Sequence, residues 1–250
     1  MRASTHREYG NKGYVEDQRE FFDKLITQDW DDYLNLEWDK ARQSEVKGIL
    51  SRIPLPKRVL DLGCGCGYHD MIFAEAKGVE RVVGIDYSEK SVETAEKQYP
   101  HTKVQRYVAN FYEGRNVVQE KGPFDLVASF QVIEHLSNPD EFMEVSALFA
   151  RKGGHVAIVT PNGKRLQNLW LRITGKPVEM IDPLHFREYG VGELTELGHK
   201  GGLKVVSYFG RNIHLSGKGR EIIKVNGRLA SWLAPRLPKF CDVIGVIFQK

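Results

Sequence analysis

The chain has 250 residues, 41% of them hydrophobic, with a formal net charge of +3. That length suits one large domain with a sizeable core. No apolar run approaches the ~20 residues of a membrane span, and so small a net charge does not by itself imply nucleic acid. The polar first twenty residues lack a leader-like apolar core, so a cytoplasmic address is expected. Three cysteines, Cys64, Cys66 and Cys241, have neither disulfide-framework nor zinc-site spacing. Charge is uneven: residues 201–250 hold nine Lys/Arg against two Asp/Glu. Such a region reads as a solvated surface or as a face for an anionic partner.

In chain order, residues 1–20 read as a polar arm. Residues 21–53 read as amphipathic helices, with Phe21, Phe22, Leu25 and Ile26, then Leu36, Trp38, Val46, Ile49 and Leu50 at helical spacing. Pro54 and Pro56 end that segment. Strands follow at 58–62, 81–86, 104–108, 124–130 and 155–160. Helices are expected at 68–76, at 88–99 with Ser88 as N-cap, and at 139–150. This alternation gives an α/β fold, a parallel sheet wrapped by helices. Two late strands are expected at 203–209 and 243–248. Long connections at about 161–189 and 210–242 interrupt the rhythm and are natural lids. Within the second, Ile222, Val225, Leu229, Trp232 and Leu233 share a helical face, so Glu221–Leu233 reads as a helix. The organisation is thus an N-terminal arm with lid helices (1–53) and one catalytic domain (54–250).

The first strand ends in Asp61-Leu62-Gly63-Cys64-Gly65-Cys66-Gly67, and the second ends at Asp86. Parallel α/β sheets bind ligands at these carboxyl ends. Glycines let a ligand approach the backbone, and a helix N-terminus follows. A carboxylate at Asp86 can accept both hydrogens of a ribose diol. A nicotinamide dinucleotide site wants Gly-x-Gly-x-x-Gly. The third place falls on Tyr68 or Asp70, so neither register works.

An acid followed by Gly-x-Gly-x-Gly resembles the class I S-adenosylmethionine-dependent methyltransferases. The resemblance covers about residues 38–210 and rests on VLDLGCGCGYH (59–69), VVGIDYS (82–88), FDLVASFQVIEHLSNP (124–139) and GGHVAIVTPN (153–162). It implies a Rossmann-like seven-stranded sheet of order 3-2-1-4-5-7-6 with the seventh strand antiparallel. It implies that Gly63, Gly65 and Gly67 line the methionine and ribose. Asp61 would orient the loop or reach the amino group through water. Asp86 would hold the ribose and Tyr87 flank the adenine. Asn110 stands where an Asp often meets the adenine amino group. Phe130 and Gln131 would lie beside the methionine. The chain is more closely similar to small-molecule O-methyltransferases of the ubiquinone-biosynthesis type, through Glu134-His135 and through Arg42, which would meet the cofactor carboxylate.

For oxygen methylation, His135 and then His185 are the candidate general bases, since imidazole titrates near neutrality. Either could instead be structural. Some relatives hold a divalent metal with Glu-x-x-Glu-His. Here the first Glu is Gln131, which removes one charge from a dication site of Glu134, His135 and His185. The expected reaction is methyl transfer to a small-molecule hydroxyl of a sugar, a quinone precursor or another natural product. The alternatives are an RNA 2′-O-methyltransferase, for which no RNA-binding pattern is visible, and a non-enzymatic partner protein of the same fold. The segment Glu221–Leu237 is expected to be a lid helix, or else a membrane-surface helix with Arg228, Arg236 and Lys239 facing lipid and Trp232 and Leu233 inserted.

Overall fold

The computed structural model describes residues 36–112, 115–178, 180–181, 185–217, 220–225, 233–234 and 236–250. The arm, Phe21–Ile26, Arg228 and Trp232 lie outside the described residues. Helix α1 spans Leu36–Leu50. Then come β1 (Arg58–Leu62), α2 (Tyr68–Glu75), β2 (Arg81–Asp86), α3 (Glu89–Gln98), β3 (Val104–Val108), α4 (Arg115–Lys121) and β4 (Phe124–Phe130). A 3₁₀ turn at Ile133–His135 leads to α5 (Pro139–Phe149), β5 (Ala150–Pro161), α6 (Leu166–Ile173) and α7 (Val191–Lys200). Strand β6 (Lys204–Arg211) is followed by β7 (Ile213–Gly217), β8 (Arg220–Val225), a second 3₁₀ turn at Pro238–Phe240, and β9 (Val243–Gln249).

The main sheet runs β3-β2-β1-β4-β5-β9-β6. Pairs from β3 to β5 are parallel, and β9 is antiparallel to both neighbours. Strand β9 is the seventh strand of the order read from the sequence. The strands are near-continuous apolar runs because helices cover both faces. One face buries Leu60, Leu62, Val83 and Ile85 with Phe142 and Met143 of α5 and Leu194 and Leu197 of α7. The other buries Val59 and Val82 with Val46 and Ile49 of α1 and Phe73 of α2. Caps match the sequence signals: Ser88 Oγ accepts from Ser91 N at 3.0 Å, and Asn138 accepts from Glu141 N just before Pro139.

One expected element is overturned. Residues 220–225 form a strand, not a helix, and pair antiparallel with β7 as a hairpin between β6 and β9. In Arg-Glu-Ile-Ile-Lys-Val, β-branched Ile222, Ile223 and Val225 favour a pleated surface, which wins over the helical spacing of Ile222 and Val225. A single helix over Glu221–Leu233 or Glu221–Leu237 is therefore excluded. Helices α4 and α6 and strand β7 fall where no element is expected from the sequence, and the remaining differences are in extent. β5 begins at Ala150, five residues before the expected start, and β6 runs two residues further, to Arg211.

Helix α7 reaches β9 closely because residue 198 has no side chain. A Cβ there would lie 2.0 Å from Phe248 Cε1. Alanine in a helix ordinarily gains ~0.5–1 kcal/mol over glycine. Here Gly198→Ala is expected to destabilise by about 1–3 kcal/mol through overpacking, read as a lower urea midpoint.

Candidate functional site

The β1–α2 loop turns sharply, with φ of +77°, +50° and +78° at Gly63, Gly65 and Gly67. Gly63 N and Cys64 N donate to Ile85 O at 2.8 and 3.0 Å, tying the loop to β2. A Cβ on Gly63 would meet Val132 Cγ2 at 2.4 Å, whereas one on Gly65 would meet nothing within 4 Å. Gly63 is thus needed for packing, and Gly65 borders open space. Asp86 closes the loop from the side. Its Oδ2 accepts from Gly65 N and its Oδ1 from Ser88 N, both at 2.9 Å.

Behind the loop lies buried charge. Asp61 and Asp70 are both fully buried. Arg106, on β3, donates Nε to Asp70 Oδ2 at 2.8 Å, Nη1 to Tyr99 O and Nη2 to Gly67 O. Burial, then the Asp70 and Asp86 charges, push Asp61 well above the ordinary carboxylate range. Burial raises Asp70 as well, against the Arg106 guanidinium that lowers it. Asp61 therefore sits under the loop as a supporting acid.

Tyr87 is half-buried beside Asp86. Asn110 Oδ1 accepts from Tyr112 N at 2.9 Å, which leaves its amide nitrogen as the donor facing outward from that turn. Arg42 of α1 stands 4.8 Å over the Tyr68 ring, at the start of α2. Its charge also reaches Cys66, whose thiol burial and Asp86 raise to about 12. Phe130, at the end of β4, is buried and carries the His69 ring stacked on it at 3.7 Å. His69 Nε2 lies 3.2 Å from Glu45 Oε2, and Arg211 of β6 meets Glu45 Oε1 at 3.0 Å. His69, Glu45 and Arg211 are site-edge residues that sequence reasoning passed over. The signal for His69 was present, in the motif VLDLGCGCGYH.

Gln131 follows with φ +55°, a left-handed conformation unusual for a side chain of this size, and donates its N–H to Val159 O at 2.9 Å. Such strain collects at functional sites. The turn it starts places Val132 against Gly63 and presents Glu134 and His135. The insertion after β5 returns here: Phe186 N donates to Glu134 O at 2.9 Å. Glu134, His135 and His185 each offer a ligand atom, all within 4.8 Å of one another. The two rings meet edge-on at 4.8 Å. Glu134 Oε2 accepts from Thr160 Oγ1 at 2.8 Å, while its buried Oε1 has no hydrogen-bond partner. An unpartnered buried carboxylate oxygen beside two imidazoles suits a divalent cation or a proton.

His185 is oriented by a residue absent from the sequence reading. Its Nδ1 lies 3.0 Å from Glu188 Oε1. The Glu188 carboxylate also pairs with Arg165 and accepts from Ile181 N. Burial opposes its charge, but His185, the Ile181 N–H and Arg165 hold it below the ordinary glutamate range. A carboxylate on Nδ1 makes that nitrogen the donor and leaves Nε2 as the lone-pair face.

A methyltransferase-domain family model matches residues 36–208. A probable S-adenosylmethionine-dependent methyltransferase of Mycolicibacterium smegmatis is 33% identical over 154 residues, 61% of this chain and 54% of that protein. The chain thus spans about half the length of that relative. A ubiquinone biosynthesis O-methyltransferase of Coxiella burnetii is 23% identical over 206 residues, covering 76% of this chain and 82% of that protein. The N-methyltransferase NodS of Bradyrhizobium japonicum, solved with S-adenosyl-L-homocysteine, superimposes with a TM-score of 0.58 at 13% identity, covering 93% of this chain and 97% of that one.

Burial, opposed by the Thr160 hydrogen bond, raises Glu134 to about 7 from an ordinary 4.5. A folded value above the unfolded one favours folding fully below about pH 4.5, and this contribution is lost as pH rises through about 7. The stability of wild type relative to Glu134→Gln is therefore expected to fall from pH 4.5 to 7 and then level off, as read from urea melts across that range.

Proposed function

The chain belongs to the methyltransferase-domain family, and from that membership we propose that it is an S-adenosylmethionine-dependent enzyme methylating a hydroxyl of a small molecule. The supporting observation is the loop Asp61–Gly67, opened at Gly65 and pinned by Asp86. Each Asp86 oxygen accepts one backbone N–H, and a carboxylate of this kind is the acceptor a ribose diol calls for. The Asn110 amide nitrogen would donate to a ring nitrogen of adenine, in place of the acceptor role an Asp would play. Tyr87 would flank the base. Arg42, next to Tyr68, would meet the methionine carboxylate, and Gln131 with Phe130 would border the methionine chain.

The chemistry asks mainly for alignment. The acceptor oxygen forms a bond to the methyl carbon as the sulfonium–methyl bond breaks, and the hydroxyl proton must leave. Alignment supplies up to about 7–11 kcal/mol, and a base roughly 10²–10⁴-fold. His135 would take the proton, with His185, oriented by Glu188, at the same point. A divalent cation, if bound by Glu134, His135 and His185, would polarise the acceptor hydroxyl. The exposed residues beside His185 include apolar Met180, Ile181 and Phe186. That favours a small acceptor with an apolar part over RNA, which calls for basic and aromatic interleaving.

Calorimetric titration is expected to show S-adenosylmethionine binding to the wild type. Asp86→Ala, losing charged hydrogen bonds of about 1.5–3 kcal/mol, should weaken it roughly ten- to hundredfold. No wild-type binding would refute the assignment. His135→Ala is expected to lower turnover on an accepted substrate by about 10²-fold or more while leaving cofactor affinity within a few-fold. Equal losses of both would make His135 structural.

A further inference from the structure

Large apolar side chains crowd one stretch of surface. Of twelve exposed among the described residues, seven fall between 169 and 186. Helix α6 is anchored by one side. Leu171 and Asn168 are buried, Asn168 Nδ2 donates to Gly163 O at 3.0 Å, and Leu166 packs on Ile213, Ala234 and Cys241. Its other side holds Leu169, Trp170 and Ile173 in solvent, Ile173 at 70% exposure. The chain beyond it adds Val178, Met180 and Ile181 to the exposed surface. Scattered exposed apolar residues are ordinary, whereas a run of them marks an interaction face.

Among the described residues, the exposed charge on this stretch has one sign. Between 164 and 187 the exposed charged residues among those described are Lys164, Arg172, Lys176 and Arg187. Lys164 and Arg187 share Glu193 as partner. Arg172 is exposed in the last turn of α6, and Lys176 is exposed just beyond it. Across 164–187 five Lys/Arg stand against Glu179 and Asp182. Next to the anchored side of α6, the turn before β9 adds exposed Leu237 and Arg236 and the cation Lys239. A short amphipathic helix with Trp, Ile and Leu outward and cations at its rim has the make-up of an interfacial helix. Tryptophan favours the boundary between hydrocarbon and headgroup, and Lys and Arg meet anionic lipid there.

We propose that α6 and the following residues to 181 form a docking surface for an anionic lipid bilayer, with Trp170 and Ile173 entering the interface and Arg172 and Lys176 meeting the headgroups. This places the contact in the insertion after β5. The sequence pattern suggests Glu221–Leu237 instead, of which 221–225 lie in a strand. The surface adjoins the candidate acceptor side, since Ile181 N donates to Glu188, the residue that holds His185. A docked protein would thus present its His135–His185 edge toward the bilayer. Membrane binding itself requires neither cofactor nor turnover.

The test is flotation of the purified full chain with phosphatidylglycerol vesicles, with phosphatidylcholine vesicles and without lipid. Recovery is expected with phosphatidylglycerol, several-fold less with phosphatidylcholine, and a fall for the former in 1 M salt. The double variant Trp170→Ser/Ile173→Ser should lose most of the recovery. Arg172→Glu/Lys176→Glu should lose it selectively on anionic vesicles. All four side chains are exposed, so both variants should keep the wild-type unfolding midpoint and cofactor affinity, which separates lost docking from lost folding. No recovery of the wild type with anionic vesicles would overturn the proposal, as would recovery indifferent to the Trp170/Ile173 change. A wild-type dimer that this change dissociates, with no lipid dependence, would assign the face to a second copy and equally overturn it. A chain that floats as expected but fails to bind S-adenosylmethionine would leave this inference standing and remove the enzymatic one.

Discussion

Buried charge beneath a glycine turn is the constraint on which the site depends. Arg106 reaches from β3 under β2 to Asp70 of α2 and the Gly67 carbonyl. Burying an ion pair is costly unless both partners are well hydrogen-bonded. Here the guanidinium also finds Tyr99 O, and burial beside Asp70 pushes the second carboxyl, Asp61, well above the ordinary carboxylate range. The arrangement locks the start of α2 to the strand two places away. Gly67 can then be neither shifted nor given a side chain, since a Cβ would lie 2.7 Å from Arg106 Nε. Asp86 does the same work on the solvent side through Gly65 N. The loop is thus held from both sides, and at Gly65 it borders open space.

The cluster of Glu134, His135 and His185 is built on a different plan. Glu134 and His135 come from a strained turn after β4, and His185 from an insertion about fifty residues later. Backbone pairing of Phe186 with Glu134 joins them. Side-chain polarity then fixes His185, through Glu188 and Arg165. Val132 connects this side to the cofactor loop, because it occupies the space over Gly63. A ligand that moved the loop would therefore press on the turn carrying His135.

This division explains what the sequence made legible. The glycines, Asp61 and Asp86 act through local backbone geometry at two adjacent strand ends, so spacing along the chain revealed them. The alternating elements made a parallel α/β sheet legible, while the seven-strand order came with the resemblance to class I methyltransferases. Glu188, Arg106 and Glu45 act through partners that include Arg165, Asp70 and Arg211, which are 23, 36 and 166 residues away. Nothing in their local sequence distinguishes such residues from solvated surface charge. The hairpin at 213–225 was missed for another reason. A run of four or five apolar and polar residues satisfies helical and strand spacing at once, and only cross-strand pairing decides. His69 lay inside a recognised motif, but its role rests on Phe130, an aromatic face presented from β4.

The same polar logic bears on how the two lobes of the site relate. Helix α1 contributes Glu45, whose burial opposes its charge while His69 and Arg211 hold it below the ordinary range. Without Arg211 and His69 that carboxylate would be a buried, uncompensated charge, so α1, α2 and β6 are bound to one another at the ligand edge of the sheet. Arg42 lies one helical turn earlier on α1, close to Tyr68. The Glu45 cluster thus holds the helix that carries Arg42 at this edge of the sheet, beside the contact of Arg42 with Tyr68. Across the sheet, Glu188 sets the direction of His185 in the same way. In both lobes the residue that would touch a ligand is aimed by a buried carboxylate that would not. The aim is therefore stored in ion pairs formed on folding, before any ligand arrives.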